Sequence, residues 1–292
     1  MDRDVELSRL RISRRRALAL GGAVSLGGLL AACGGDPGTA PTATGTTTAV
    51  PSDIDPRLLA LLDEAPHCVM AVEETQGPYW FDVDSIRRDI REDRPGLQLD
   101  LALRVQHARA CAPDGGAPAV ANAVVEIWHC DAGGVYSGYE AASRAASGDT
   151  TAPAGGAPAG GVPSVVTMSD GSYSLDDGQF PPTDDGTYLR GAQTTDANGI
   201  AQFTTIFPGW YTGRTVHIHV KVHIDRRTVL TSQLYVDDAL SDDVFATVAP
   251  YPGHPGRDTR NDTDVVFHDT GLVAAVRDPD RILAAINLGL GV

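Results

Sequence analysis

His217 and His219 close the run Tyr211-Thr-Gly-Arg214-Thr-Val-His217-Ile-His219. In a strand, residues two apart share a face, so two imidazoles spaced this way can converge on one ion. The alternation continues through Val-Lys-Val-His223, which places His223 further along that face, exposed or at a pocket edge. Alone, a His-X-His pair is only moderately specific, because histidines also serve as ordinary half-buried strand residues. Its neighbours sharpen the reading. Tyr211 follows a Pro208-Gly209 turn, and Tyr136 lies just beyond the strand end Trp128-His129-Cys130-Asp131. Phenolate is a hard anionic ligand suited to a trivalent ion, whereas imidazole suits iron, zinc and copper alike. Two phenolates would offset most of the charge of Fe³⁺, and a bound metal readily overcomes a phenol pKa near ~10. A zinc site has no Cys-X-X-Cys to build on. A cupin-type site lacks its acidic ligand, the nearest acid after His219 being Asp225.

The segments that must position these groups read as strands. Residues 97–105 alternate apolar and polar side chains, and 123–128 are β-branched and aromatic. Further strands are expected over 199–206, 216–224, 229–236 and 264–267. Asp55 and Pro56 open a short helix to Glu64 as N-cap and first-turn residue. Residues 278–286 fit either a short helix or a last strand. Many short strands, frequent turn signals and little helix predict a mainly β chain, an antiparallel β-sandwich with short helices and long loops. Residues 140–165 collapse to Ala, Gly, Ser, Thr and Pro and read as an inserted surface loop.

The chain has 292 residues and a formal net charge of −15, which argues against a nucleic-acid partner. Ser13-Arg14-Arg15-Arg16 is a twin-arginine pattern, followed by a mildly apolar stretch too short to span a bilayer comfortably. Leu30-Ala31-Ala32-Cys33 resembles a bacterial lipoprotein cleavage box. The expected organisation is a signal peptide over 1–32, a lipid anchor on Cys33 with a flexible tether over 33–55, and a β-sandwich domain over 56–292. That places the protein on the outer face of the cytoplasmic membrane. Removal of 1–32 takes away six arginines and three acids, leaving a mature charge of −18. Cys68, Cys111 and Cys130 then remain, with Cys68 expected to pair with one of the other two.

The run Trp128-His129-Cys130-Asp131-Ala132-X-Gly134-X-Tyr136-Ser137-Gly138 resembles the intradiol ring-cleavage dioxygenases, the catechol and protocatechuate group. So does Leu189-Arg190-Gly191…Thr195-Asp196…Gly199…Phe203-Thr-Thr-Ile-Phe-Pro208-Gly209-Trp210-Tyr211…Arg214…His217-Ile-His219. The likeness runs from about Cys68 to Val236 and is nearest to the extracytoplasmic branch. It implies a β-sandwich and one non-haem Fe³⁺ per chain held by Tyr136, Tyr211, His217 and His219. It also implies cleavage of a small aromatic ortho-diol with O₂ to a muconate-type diacid. Arg214 would stabilise charge on the diol ring, Tyr211 would leave the metal carrying a substrate proton, and Gln233 would line the pocket. Gly77, Pro78 and Tyr79 match the segment at the pocket edge. The chain lacks the long helical N-terminal region by which catechol dioxygenases dimerise, so a homodimer is admitted without being specified.

Blander readings stand beside these. Tyr136 and Tyr211 could be strand-end aromatics, Arg214 a surface ion-pair residue, and Trp128 and Trp210 core packing. His129 reads as structural or as support for the site, not as a ligand. A non-catalytic, surface-anchored β-sandwich binding module is the competing function; such a module has no need of His-X-His with two spaced tyrosines.

Overall fold

The computed structural model describes residues 54–83, 85–112, 116–146 and 181–291. Two four-stranded sheets pack face to face. The first has the order β4 (Ile200–Ile206), β1 (Gln98–His107), β8 (Arg281–Leu290), β7 (Ala274–Arg277). The second has the order β3 (Arg190–Thr194), β2 (Val124–Trp128), β5 (His217–Ile224), β6 (Arg227–Tyr235). All pairings are antiparallel except β1 with β8, which run parallel.

Alternation decides which side chains fill the space between the sheets. Leu99, Leu101 and Leu103 of β1 meet Ile218, Val220 and Val222 of β5 there, with Val125, Ile127, Phe203 and Ile286. Each such side chain withdrawn from water contributes roughly 1.5–3 kcal/mol, which fixes the strand registers. The outer face of the first sheet is covered by helix α1 (Pro56–Glu64), whose Leu58 and Leu62 pack on Ala102, Leu283 and Ala285. Asp55 caps this helix by accepting from the Arg57 amide, as its sequence signature predicts.

The outer face of the second sheet is covered by residues 70–81, an extended strap. Glu74 N–H donates to the Thr231 carbonyl, Ser232 Oγ to that of Val72, and Gln233 Nε2 to that of Thr75. Because both faces of β5 are covered, its polar residues are as buried as its apolar ones. His223 is therefore not exposed or at a pocket edge. It is buried, with Nε2 donating to Glu126 and Nδ1 3.1 Å from Thr228 Oγ1.

Several elements correct or complete the sequence expectation, among them strands β3 and β7, which were not anticipated. Residues 264–267 form a turn, because the Asp264 carboxylate gathers the amides of Thr215 and Val266. The undecided C-terminal segment is β8, a strand in the middle of its sheet. Helix α3 (Asp238–Thr247), capped by Asp237, was not anticipated. The insertion expected over 140–165 begins inside helix α2 (Glu140–Ala146); residues 147–180 lie outside the described residues, as do Cys33 and the leader. A disulfide joins Cys68 to Cys111, and Cys130 is a buried free thiol.

Candidate metal centre

His217 and His219 leave β5 on the face away from the core, beneath the strap. Tyr136 and Tyr211 reach the same point from two loops packed backbone against backbone. Gly209 N–H donates to the Asp131 carbonyl at 3.1 Å. A Cβ on Gly134 would lie 2.4 Å from the Trp210 carbonyl oxygen, and one on Gly209 would lie 2.4 Å from that of Asp131. Gly134 also needs its positive φ of 80°. Asp131 shapes the first loop by accepting from the amides of Gly133 and Val135. Arg214 N–H closes a tight turn on the Tyr211 carbonyl, which sets the second.

The four side chains meet at His217 Nε2. Tyr211 Oη lies 3.1 Å from it, His219 Nε2 3.2 Å and Tyr136 Oη 3.4 Å. His217 Nδ1 lies 2.7 Å from the Thr215 carbonyl oxygen. A carbonyl only accepts, so Nδ1 carries the ring proton and Nε2 presents its lone pair to the cluster. One lone pair accepts one good hydrogen bond, yet three polar atoms crowd it. A cation would accept lone pairs from all four side chains at once. His219 Nδ1 is buried without a hydrogen-bond partner among the described residues. A proton on that atom leaves the His219 Nε2 lone pair facing the same point.

The electrostatics agree with a cation site. Burial pushes the Tyr136 phenol well above its usual range; it does the same for Tyr211, where Arg214 opposes it. Burial, and then the charge of Arg214, depresses His217 to about 3. His219 is depressed by burial, then by His217 and Arg214. Without an ion the quartet is thus two neutral phenols and two neutral imidazoles, a donor set fitted to a hard cation that draws off the phenolic protons. Among the described residues no group of three or more His, Cys, Asp or Glu side chains could hold a metal, and the cluster described here pairs its two histidines with two tyrosines.

Around the quartet, the ring of Trp128 stacks on His219 with centroids 4.8 Å apart and planes 4° from parallel. Arg214 is held by Asp264, whose carboxylate also accepts from Thr215 N–H, and it donates to Gln233. Burial works against the Arg214 charge, but Tyr211 and Asp264 outweigh it and raise its pKa. Gly77 lies over His219, where an added Cβ would approach Cε1 to 3.3 Å. The Tyr79 ring is 5.1 Å from Tyr136 and 5.2 Å from Tyr139, whereas Pro78 between Gly77 and Tyr79 is exposed.

The structure thus brings Tyr136, Tyr211, His217, His219, Arg214, Gln233, Gly77 and Tyr79 together. His129 stands apart, buried and neutral, its Nδ1 donating to the Cys130 carbonyl and its Nε2 accepting from Thr205. The sequence reading missed Asp264, which it placed in a strand. No local signal marks an acid 50 residues from the arginine it holds.

No protein-family model and no curated protein matches the sequence. Solved structures do. An intradiol ring-cleavage dioxygenase from Tetranychus urticae is 28% identical, with a TM-score of 0.59, over 76% of this chain and 95% of that one. A second dioxygenase crystal structure is 27% identical, also with a TM-score of 0.59, over 77% and 95%. The dioxygenase domain of a dioxygenase and carbohydrate-binding fusion from Streptomyces sp. SirexAA-E is 25% identical, with a TM-score of 0.48, over 77% and 99%. Two dioxygenases, one of them an intradiol ring-cleavage enzyme, thus share the fold of this β-sandwich.

Proposed function

We propose that this chain is a non-haem Fe(III) intradiol dioxygenase, opening catechol-type diols between their hydroxyl-bearing carbons with O₂ to give muconate-type diacids. The observation that carries the reading is the convergence of Tyr136, Tyr211 and His219 on a His217 Nε2 whose lone pair faces them. A bound ferric ion would supply Lewis acidity and a template for both diol oxygens. Tyr136, Tyr211, His217 and His219 would hold it. Of the two phenols, Tyr211 would be the one to take up a proton from an entering diol. The Arg214 guanidinium, pinned by Asp264 and Gln233, is preorganised to stabilise negative charge on the ring. Gly77 and Tyr79 roof the quartet and limit the approach of water.

We assign the mature protein to the outer face of the bacterial cytoplasmic membrane, exported by the twin-arginine route and anchored through acylated Cys33. The Cys68–Cys111 disulfide supports an oxidising compartment. Among the described residues no helix is long and apolar enough to cross a membrane.

Ferric-loaded protein is expected to be reddish, because iron-bound tyrosinate absorbs visible light. Oxygen uptake across a panel of ortho-diols, with product identification, tests the reaction; products cleaved outside the diol would contradict it. His217→Ala should lose ferric iron and lower turnover at least ~100-fold, the loss expected when a catalytic metal is removed. A His217→Ala protein with full iron and full turnover would overturn the assignment.

A further inference from the structure

The row of cross-strand neighbours that contains His219 ends in a buried cation to which the proposed reaction gives no part. The register of the second sheet aligns Arg190, Trp128, His219 and Gln233 across four strands. Gln233 at one end of the row holds Arg214. Arg190 at the other end is buried. Its Nε donates to Ser137 Oγ at 2.8 Å and its Nη2 to the Ser137 carbonyl at 2.7 Å, and Ser137 directly follows Tyr136. Ser137 Oγ donates onward to the Tyr188 carbonyl. The guanidinium lies 4.3 Å from the centre of the Phe81 ring and 5.8 Å from that of Tyr139. Arg87 holds the Arg190 carbonyl through its Nε and Nη2, so the backbone cannot easily carry the side chain elsewhere.

Burying a guanidinium without an anion costs several kcal/mol, so proteins pair such groups. Among the described residues no carboxylate comes within ion-pair distance of Arg190, and its Nη1 has no hydrogen-bond partner. Burial lowers its pKa only to about 10, with Tyr139, Tyr136 and Glu126 opposing the fall, so it remains charged at neutral pH. The side chain is sealed under aromatic rings and cannot reach a substrate. What it touches is the backbone that sets the direction of the Tyr136 ring.

We propose that Arg190 is a positioning residue for the metal centre. Its guanidinium fork fixes the chain beside Tyr136, and its charge offsets the negative charge that Tyr136 carries as a ligand. This inference rests on the ferric reading of the site and deepens it.

The test compares full-length wild type, Arg190→Gln and Ser137→Ala, each metal-free and loaded with ferric iron. Thermal melting of the metal-free proteins controls for folding. Arg190→Gln is expected to bind ferric iron at least tenfold more weakly. Its tyrosinate-to-iron absorption band should move to longer wavelength, because a phenolate without its cation gives up electron density more readily. A folded Arg190→Gln protein with wild-type iron affinity and an unmoved band would overturn the proposal. If Arg190→Gln does not fold, Ser137→Ala decides, since it removes one arm of the fork and no charge. A displaced or broadened band at unchanged metal-free melting supports the role, and an unmoved band refutes it. Wild-type protein that takes up no ferric iron would instead refute the metal reading itself, so the two failures are distinguishable.

Discussion

His217 shows how one hydrogen bond commits a side chain to a role. Its Nδ1 proton goes to the Thr215 carbonyl, and the Thr215 amide in turn is fixed by Asp264. The same carboxylate thus orients the imidazole of His217 and the guanidinium of Arg214, in the manner of groups that support metal ligands. His129 is a histidine put to the opposite use. It is sealed between Thr205 and the Cys130 carbonyl, and burial depresses its pKa to about 4 from an ordinary 6.5. The unfolded chain therefore binds this proton first. The stability contributed by the neutral ring is complete above pH ~6.5 and is lost as the pH falls through about 4. At about 1.4 kcal/mol per pH unit, the loss approaches roughly 3 kcal/mol across that window. Urea unfolding of metal-free protein at pH 7 and pH 4.5 should show wild type losing more stability toward acid than His129→Gln. Equal losses would remove His129 from the acid response.

At the scale of elements, the centre depends on one strand with two functional faces and on two loops that touch through glycines. β5 sends Ile218, Val220 and Val222 to the core and His217 and His219 to the site, so the packing that sets its register also aims the two imidazoles. A one-residue slip would turn the histidines into the core and put aliphatic side chains at the site. Tyr136 and Tyr211 approach each other only because Gly134 and Gly209 allow the backbones of their loops to meet. Gly134→Ala would force a Cβ into the Trp210 carbonyl at a positive φ. It should cost about 2 kcal/mol or more of stability and weaken ferric binding beyond what that loss explains. A melt paired with an iron titration checks both; wild-type values in each would show that the loops are not apposed as described.

For the molecule as a whole, the strap over 70–81 turns a sheet face into an enclosed site. The strap carries Gly77 and Tyr79 over the quartet, and Trp80 Nε1 within it donates to Glu126 of β2. The Cys68–Cys111 bond, spanning a sequence separation of 43, anchors the start of this segment to the chain just beyond β1. By chain entropy, a bridge closing a loop of that size contributes roughly 4 kcal/mol. A Cys68→Ser/Cys111→Ser protein should unfold at lower denaturant concentration by the equivalent of about 2–4 kcal/mol. Reductant should produce the same shift in wild type and none in the double variant. Insensitivity of wild-type stability to reductant would mean that the strap is secured by its hydrogen bonds alone.

Much of the fold was legible because alternation is a local property. The strands at 97–105, 123–128, 199–206, 216–224 and 229–236 were all found within one or two residues of their observed ends. So was the helix capped by Asp55. The four side chains that converge on one point could be singled out for a related reason: His-X-His is itself a strand pattern, and the tyrosines stand beside turn signals. Other features depend on partners distant in sequence. His223 was misjudged because its buried partner Glu126 lies on β2, 97 residues away in sequence. Asp264 was hidden because it acts as a turn centre whose purpose is set by Arg214 and Thr215. Which cysteine pairs with Cys68, whether the C-terminal segment is strand or helix, and the alignment of Arg190 with His219 all required the sheets to be assembled. The sequence by itself determined which polar side chains the chain offers and the strand on which its histidines lie, because residue types and periodicity are local. Only the tertiary structure decided that four donors share one point and that a buried arginine stands behind one of them, because convergence is a matter of register between strands.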